Sequence, residues 1–121
     1  MIEIFVLLVI YQIKHFLCDY PLQVPYMLQK MNKDDGWVLP LASHAAVHAL
    51  FTLIIVLAVN ANLWWLAIVD FVVHFTMDRI KASPDLLNRF KLDDKRFWWA
   101  LGFDQMVHHL THYAIIFALI V

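Results

Sequence analysis

Histidine and aspartate recur at a spacing of four residues in four separate parts of this chain. The groups are His15 with Asp19, His44 with His48, His74 with Asp78, and Asp104 with His108 and then His112. Residues four apart lie on one face of an α-helix, about 6 Å apart along its axis. Helix bundles build metal sites from imidazole and carboxylate groups at this spacing on facing helices. We therefore predict that these nine residues are metal ligands.

Further polar residues extend the same helix faces. Asp70 lies four residues before His74, and Lys81 lies seven residues after it. We interpret Asp70 either as a ligand of a deeper ion or as a hydrogen-bond partner that orients His74. The one cysteine, Cys18, excludes an internal disulfide framework and a zinc site made of four thiolates.

The ligand types restrict the choice of metal. Imidazole suits zinc, copper, iron and nickel, whereas carboxylate oxygen suits harder ions. A mixed set without thiolate therefore predicts zinc, iron or manganese. Six histidines with three or more aspartates exceed the needs of one tetrahedral zinc ion, so the set suits two ions, or one ion whose ligands are oriented by carboxylates. Haem held between paired histidines is the main alternative, although haem needs no row of aspartates.

The composition indicates where such a site would lie. Of 121 residues, 63% are hydrophobic and 16% are charged, whereas soluble domains are typically about 45–50% apolar and about 25% charged. A chain this short exposes too much surface to keep that apolar area out of water. Nine Lys and Arg against ten Asp and Glu leave no basic excess, which argues against a nucleic-acid binder. We predict an integral membrane protein.

Four long apolar segments can carry the polar groups. They cover about 2–20, 38–59, 63–80 and 103–121, and each is near the 17–25 residues that cross a bilayer as a helix. Only helices or closed barrels satisfy the backbone in lipid, and four strands cannot close a barrel. The sequence thus predicts an all-α fold, a four-helix transmembrane bundle, as a single domain over 1–121. We expect 21–37 and 81–102 to be interfacial loops.

The basic residues predict the orientation of these helices. All nine lie near the helix ends that the two long loops join: Lys14, Lys30, Lys33, Arg79, Lys81, Arg89, Lys91, Lys95 and Arg96. By the positive-inside rule the long loops are cytoplasmic, and both termini face outward. This predicts a multi-pass protein of the inner (cytoplasmic) membrane. It also places every histidine and aspartate of the candidate site at the cytoplasmic ends of the helices.

Several motifs resemble those of a known family. They are the run from His15 through Asp19 to Gln23, the pair His44 and His48, His74-x3-Asp78-x2-Lys81, and Phe103-Asp104-Gln105-x2-His108. Together they resemble the small bacterial and phage membrane proteins grouped as domain of unknown function 3307, over residues 15 to 112. The resemblance supports the same site residues and implies no particular reaction. A looser likeness, in residue types alone, links the pattern to membrane-bound metal-dependent hydrolases.

These observations leave three functional hypotheses open. The first is a metal-dependent hydrolase acting on a lipid or a small anionic substrate, with Asp19 or Asp104 as general base and Lys81, together with Lys30, holding the anion. The second is a non-catalytic metal-binding or haem-binding membrane protein. The third is a small interaction module that docks on a larger membrane protein. Membrane lipid is the expected surrounding in all three, and the sequence leaves open whether the protein is an enzyme.

Overall fold

The computed structural model describes residues 1–121, apart from the side chain of Asp35. Four α-helices make up most of the chain: α1 (Ile2–Asp19), α2 (Val38–Val59), α3 (Leu66–Ala82) and α4 (Lys95–Ile120). Short 3-10 helices occupy Pro25–Met31, Asp35–Trp37, Ala61–Leu63 and Leu87–Arg89. No strand occurs among the described residues, so the all-α prediction is confirmed.

The four α-helices pack in a ring in which each contacts two neighbours. α2 packs against α1 and α3, and α4 packs against the same two helices. One end of the bundle holds an apolar core that joins Leu7 near the start of α1 with Val56 near the end of α2. Leu66 at the start of α3 and Ile116 near the end of α4 belong to the same core. Neighbouring helices are therefore antiparallel, and the polar groups gather towards the opposite end.

The connection between α2 and α3 is tight. The Asn60 side chain accepts a hydrogen bond from the Asn62 backbone N–H at 3.2 Å, and the Leu63 N–H donates to the Asn60 carbonyl at 3.1 Å. These bonds wind Ala61–Leu63 into a 3-10 turn, so α3 begins at Leu66 instead of at 63.

α4 begins eight residues before the predicted apolar segment at 103. Asp94 caps its N-terminus, because the Asp94 carboxylate accepts a hydrogen bond from the Arg96 backbone N–H at 2.8 Å. The Arg96 guanidinium beside it holds the pKa of the Asp94 carboxyl below its usual range. Part of the predicted interfacial loop 81–102 is therefore helix. The prediction placed the helix start too late because it followed apolar residues, and Lys95 and Arg96 in the first turn are charged.

The segment between α1 and α2 is fastened to α3 by Arg79. Its 3-10 helix begins at Pro25, where proline favours a helix start. The Arg79 guanidinium donates to the carbonyls of Lys30 and Asn32 at 3.0 and 3.2 Å, and it lies 3.9 Å from the centre of the Trp37 ring. These contacts hold Lys30 over the polar end of the bundle.

Among the described helices, α2 is the one that is long and apolar enough to cross a membrane by length and composition. The core helix of a soluble protein passes the same test. α1 carries three charged residues, α3 has 17 residues, and α4 interrupts its apolar run with one aspartate and three histidines. The transmembrane part of the fold prediction, and the division into one domain, stay predictions.

Candidate metal centre

Asp19, near the end of α1, joins that helix to α2 through histidine. Its Oδ1 atom lies 2.9 Å from Nε2 of His48 and 3.4 Å from Nε2 of His44. Its Oδ2 atom lies 3.1 Å from Nε2 of His15, one helical turn earlier. Both α2 histidines are completely buried, while the Asp19 side chain is 22% exposed. Asp19 therefore connects the buried histidines to the edge of the bundle.

Asp78 continues the same line of contacts across α3 to α4. One of its oxygens lies 3.0 Å from Nε2 of His44, and the other lies 3.1 Å from Nε2 of His108. His108 is also 3.0 Å from Oδ1 of Asp104, one turn earlier on α4. Carboxylates and imidazoles alternate in this chain of contacts, which links all four α-helices.

Three imidazole rings form a stacked column inside this network. The rings of His48 and His74 are 3.9 Å apart at 20°, and those of His74 and His108 are 4.1 Å apart at 15°. The three rings come from three different helices: His48 is on α2, His74 on α3 and His108 on α4. Nε2 of each ring lies beside a different aspartate. Each imidazole of the column is therefore paired with its own carboxylate.

Asp70 forms a deeper polar cluster, further from the helix ends. The Lys14 ammonium donates to its Oδ2 atom at 2.7 Å, and the Thr52 hydroxyl donates to the same oxygen. The other oxygen lies 3.1 Å from Nε2 of His74. Lys14 also donates to Nε2 of His112 at 3.4 Å. All five of these side chains are buried.

Many ligand-type atoms of the network have no hydrogen-bond partner among the described residues. They include Nδ1 of all six candidate histidines, Oδ1 of Asp70 and Nε2 of His74. The 3.1 Å approach between those last two atoms lacks the geometry of a hydrogen bond. Buried polar atoms are rarely left unpaired in proteins. Unpaired nitrogen and oxygen atoms at such a density are typical of a place where a cation binds.

Three sets of one carboxylate and two imidazoles have the closeness that a metal ion requires. They are Asp19 with His44 and His48, Asp70 with His74 and His112, and His74 with Asp78 and His108; in each, the ligand atoms lie within 4.8 Å of one another. Ligands about 2.1 Å from a tetrahedral ion lie roughly 3.4 Å apart. The 2.9 and 3.4 Å contacts of Asp19 with its two histidines approach that spacing. The residues present therefore fit a divalent ion.

The nine predicted ligands meet in one network, although two of them lie outside these three sets. His15 places Nε2 3.0 Å from Oε1 of Gln105, and Asp104 is occupied by His108 and Lys81. His109, which lies off the shared face, has Nδ1 3.3 Å from Nε2 of Gln12. The metal-binding role of all nine stays a prediction.

The nine predicted ligands omit three members of the deeper cluster. Asp70, considered from the sequence only as an alternative, belongs to one of the three sets. Thr52 gives no signal in the sequence, because threonine is common in apolar helices. Lys14 counts from the sequence as a loop-side charge, yet its side chain is buried in the bundle. Its position inside an apolar segment is the signal that identifies it, because a lysine there needs a partner.

A cavity of about 320 Å³ lies beside the network, where Asp19 reaches the edge of the bundle. Two lysines line it with Asp19. The Lys81 ammonium lies 2.9 Å from Oδ2 of Asp104, and the Lys30 ammonium lies 3.4 Å from Oδ2 of Asp78. Much of the remaining wall is apolar and includes Leu28, Met31, Ala82, Leu87, Phe97 and Leu101. The cavity is thus charged on one side and apolar on the other.

The carboxylates of this region outnumber its ammonium groups by one. Four carboxylates (Asp19, Asp70, Asp78, Asp104) stand against three ammonium groups (Lys14, Lys30, Lys81). With neutral imidazoles, one negative charge remains in excess. Buried charge without a partner is costly. A divalent cation would reverse the sign of the excess and make the region attractive to an anion.

Comparison with known proteins gives one match. A family model described as "Protein of unknown function (DUF3307)" matches residues 4–121, essentially the whole chain. This confirms the resemblance carried by the motifs between His15 and His112. No curated protein and no solved structure matches the chain.

Proposed function

The chain belongs to the DUF3307 family, whose description assigns no reaction, and we propose a function from its site alone. The protein is an integral membrane metalloprotein, with a His/Asp site near the cytoplasmic interface that holds one or two divalent ions. It acts as a metal-dependent hydrolase on a lipid or a small anionic substrate. The observation that carries this proposal is the meeting of four carboxylates, three of them buried, and six buried imidazoles from four helices.

The membrane location is supported by the distribution of polar and apolar side chains. Large apolar side chains are exposed on α1, α3 and α4, the helices whose polar residues lower their average hydropathy; they include Phe5, Val9, Ile13, Ile68, Val72, Leu110 and Phe117. Eight ionisable residues of the same helices are buried and face inward: Lys14, His15, Asp70, His74, Asp78, Asp104, His108 and His112. Apolar surface of this extent indicates contact with lipid, and ionisable residues inside a membrane face the bundle interior. We therefore place all four α-helices across the inner membrane.

The substrate class follows from the cavity beside the site. Asp19 belongs both to the Asp19–His44–His48 set and to the cavity wall. A metal ion in that set would therefore lie next to any molecule in the cavity. Lys30 and Lys81 provide positive charge for an anionic group, and Leu28, Leu87 and Leu101 provide an apolar wall. An amphiphile with an anionic head matches both sides of the cavity.

The chemistry of hydrolysis can be assigned to this chain's residues. A bound divalent ion lowers the pKa of a coordinated water molecule and polarises a phosphoryl or acyl oxygen. Asp19 is partly exposed and lines the cavity, so it is placed to accept a proton there. Asp104 is fully buried and accepts a hydrogen bond from the Lys81 ammonium group. We assign Asp104 to positioning Lys81, and Asp19 is the better candidate for general base.

The first experiment measures the metal content and optical spectrum of the protein purified in detergent. We expect zinc, iron or manganese in stoichiometric amount and no Soret band. The variant His48→Ala should lose at least half of the metal, whereas His109→Ala should keep all of it. A metal-free wild type that also fails to take up added zinc would refute the proposal, and a Soret band would establish the haem alternative.

A second measurement separates an enzyme from a non-catalytic metal protein. Metal-loaded protein is assayed for hydrolysis of phosphate-ester and carboxylic-ester amphiphiles. We expect turnover that Asp19→Asn reduces by a factor of about 100 or more, in line with loss of a general base, and any loss of metal should be confined to the one ion of the Asp19–His44–His48 set. Bound metal without any turnover would favour a structural metal site that links the four helices.

A further inference from the structure

The deepest of the three ligand sets differs from the other two in that a lysine contacts two of its three ligands. Asp70, His74 and His112 offer the same chemistry as the other sets, one carboxylate and two imidazoles, and all three are completely buried. The Lys14 side chain enters this set from α1 and is itself only 2% exposed. Its ammonium group is therefore enclosed together with the ligands.

Lys14 contacts two of the three ligands of this set. Nζ lies 2.7 Å from Oδ2 of Asp70 and 3.4 Å from Nε2 of His112, and it lies 5.5 Å from the centre of the Tyr11 ring. A hydrogen bond donated to Nε2 of His112 uses the lone pair of that nitrogen, which is then not free to bind a metal ion. The carboxylate, the imidazole and the aromatic face surround the ammonium group as they would surround another cation.

Lys30, the other buried lysine near a ligand set, contacts fewer ligands than Lys14 does. Lys30 reaches a single member of the His74–Asp78–His108 set, the Oδ2 atom of Asp78, at 3.4 Å. Oδ1 of Asp78 stays directed at His108. Among the described residues, no lysine forms an ion pair with Asp19, and none is hydrogen-bonded to His44 or His48. Only the Asp70 set has an ammonium group on two of its three ligands.

We propose that the Lys14 ammonium occupies the cation position of the Asp70–His74–His112 set and keeps metal ions out of it. A divalent ion there would lie within about 4 Å of a fixed positive charge and would be repelled strongly in a buried environment. Lys14 thus restricts metal binding to the two outer sets. His112 then holds Lys14 and is not a metal ligand in the native protein, and His74 remains available to Asp78 and His108.

The test counts zinc ions bound per chain, by elemental analysis after equilibration with zinc chloride in detergent. Lys14→Ala removes the ammonium group and should bind one equivalent more than the wild type. Lys14→Ala combined with Asp70→Asn should return to the wild-type count, because the opened set loses its carboxylate. Lys33→Ala is the matched control, since it removes a lysine from an exposed pair with Asp85 and should leave the count unchanged.

A second variant keeps the inference testable if Lys14→Ala does not fold. His112→Ala retains the pair between Lys14 and Asp70, and it should bind as much zinc as the wild type. A lower count in His112→Ala, or no extra equivalent in a folded Lys14→Ala, would overturn the inference. The inference deepens the proposed function, yet the two fail differently. A wild type without zinc refutes the proposed function, while a gain of one equivalent in Lys14→Ala would still support the role of Lys14.

Discussion

His74 lies at the centre of the candidate site, with an imidazole ring against each face of its own ring. His48 packs on one face at 3.9 Å and His108 on the other at 4.1 Å. It belongs to two of the three ligand sets. A change at this residue therefore disturbs packing between three helices as well as any ion bound by His74, Asp78 and His108.

We predict that His74→Ala lowers the free energy of unfolding by about 2–4 kcal/mol, because it removes a buried ring and leaves a cavity. The variant should also lose most of the stabilisation by metal. Zinc at 100 times its dissociation constant adds about 2.7 kcal/mol to a protein that binds it only when folded. The measurement is thermal unfolding in detergent with and without zinc or chelator.

His109→Ala serves as the control for this prediction. His109 is partly exposed and is hydrogen-bonded to Gln12 at the edge of the network. The His109→Ala variant should unfold at the same temperature as the wild type, and zinc and chelator should each shift that temperature as much as they do in the wild type. If both variants lose the same stability and chelator leaves the wild type unchanged, the histidines are polar packing residues and bind no ion.

The spacing of residues along the sequence identifies which of them share a helix face, but it does not show how deeply each one is buried. His44, His48, Asp78 and His108, which the four-residue intervals place on inward helix faces, lie beside one another or share a carboxylate in the structure. They could not show that Lys14, the immediate neighbour of His15 in the sequence, also points inward. A long flexible side chain can reach either the interface or the interior, and the choice depends on a partner 56 residues away, Asp70.

The helices themselves were predictable where apolar runs end at charged or turn-forming residues. α2 has the predicted bounds of 38–59, and α1 ends within one residue of the predicted position. α4 was not predictable in this way, because its first two turns mix Lys95 and Arg96 with tryptophans. The 3-10 helix after α1 follows from Pro25, but its attachment to α3 through Arg79 depends on tertiary contacts that local patterns do not contain.

The attachment of this segment can be tested at Arg79. We predict that Arg79→Ala frees residues 25–37, because it removes two hydrogen bonds from a charged donor and the contact with Trp37. A loss of about 2 kcal/mol would raise local opening roughly 30-fold. Trypsin cleavage after Lys30 and Lys33 should accelerate accordingly, measured by timed digestion in detergent.

Arg89→Ala is the matched control for Arg79→Ala. Arg89 makes a cation–π contact with the neighbouring Phe90, 5.0 Å from the ring centre, and belongs to a different connection. It should leave cleavage after Lys30 and Lys33 unchanged. Equal cleavage rates in both arginine variants and the wild type would contradict the idea that Arg79 holds the segment that carries Lys30.

The bundle as a whole has an apolar half and a polar half. The apolar half contains the start of α1 and the end of α4, with Leu7 packed in one core with Ile116 and Leu119. The polar half contains the ligand sets and the lysine-lined cavity. In the proposed transmembrane arrangement, a site at one end of the bundle would suit an enzyme that draws its substrate from that side, and it would not suit a carrier, which needs access from both sides.

The orientation of the whole bundle provides the last prediction. Lys14 and Lys30 are buried, so they cannot act as loop charges in the positive-inside rule. The seven remaining basic residues still lie on the side of the two long connections: Lys33, Arg79, Lys81, Arg89, Lys91, Lys95 and Arg96. We therefore expect a reporter fused after Val121 to be active outside the cytoplasm and one inserted at Asp93 to be active inside it. Cytoplasmic activity of the fusion after Val121 would reverse the orientation and place the cavity on the outer side.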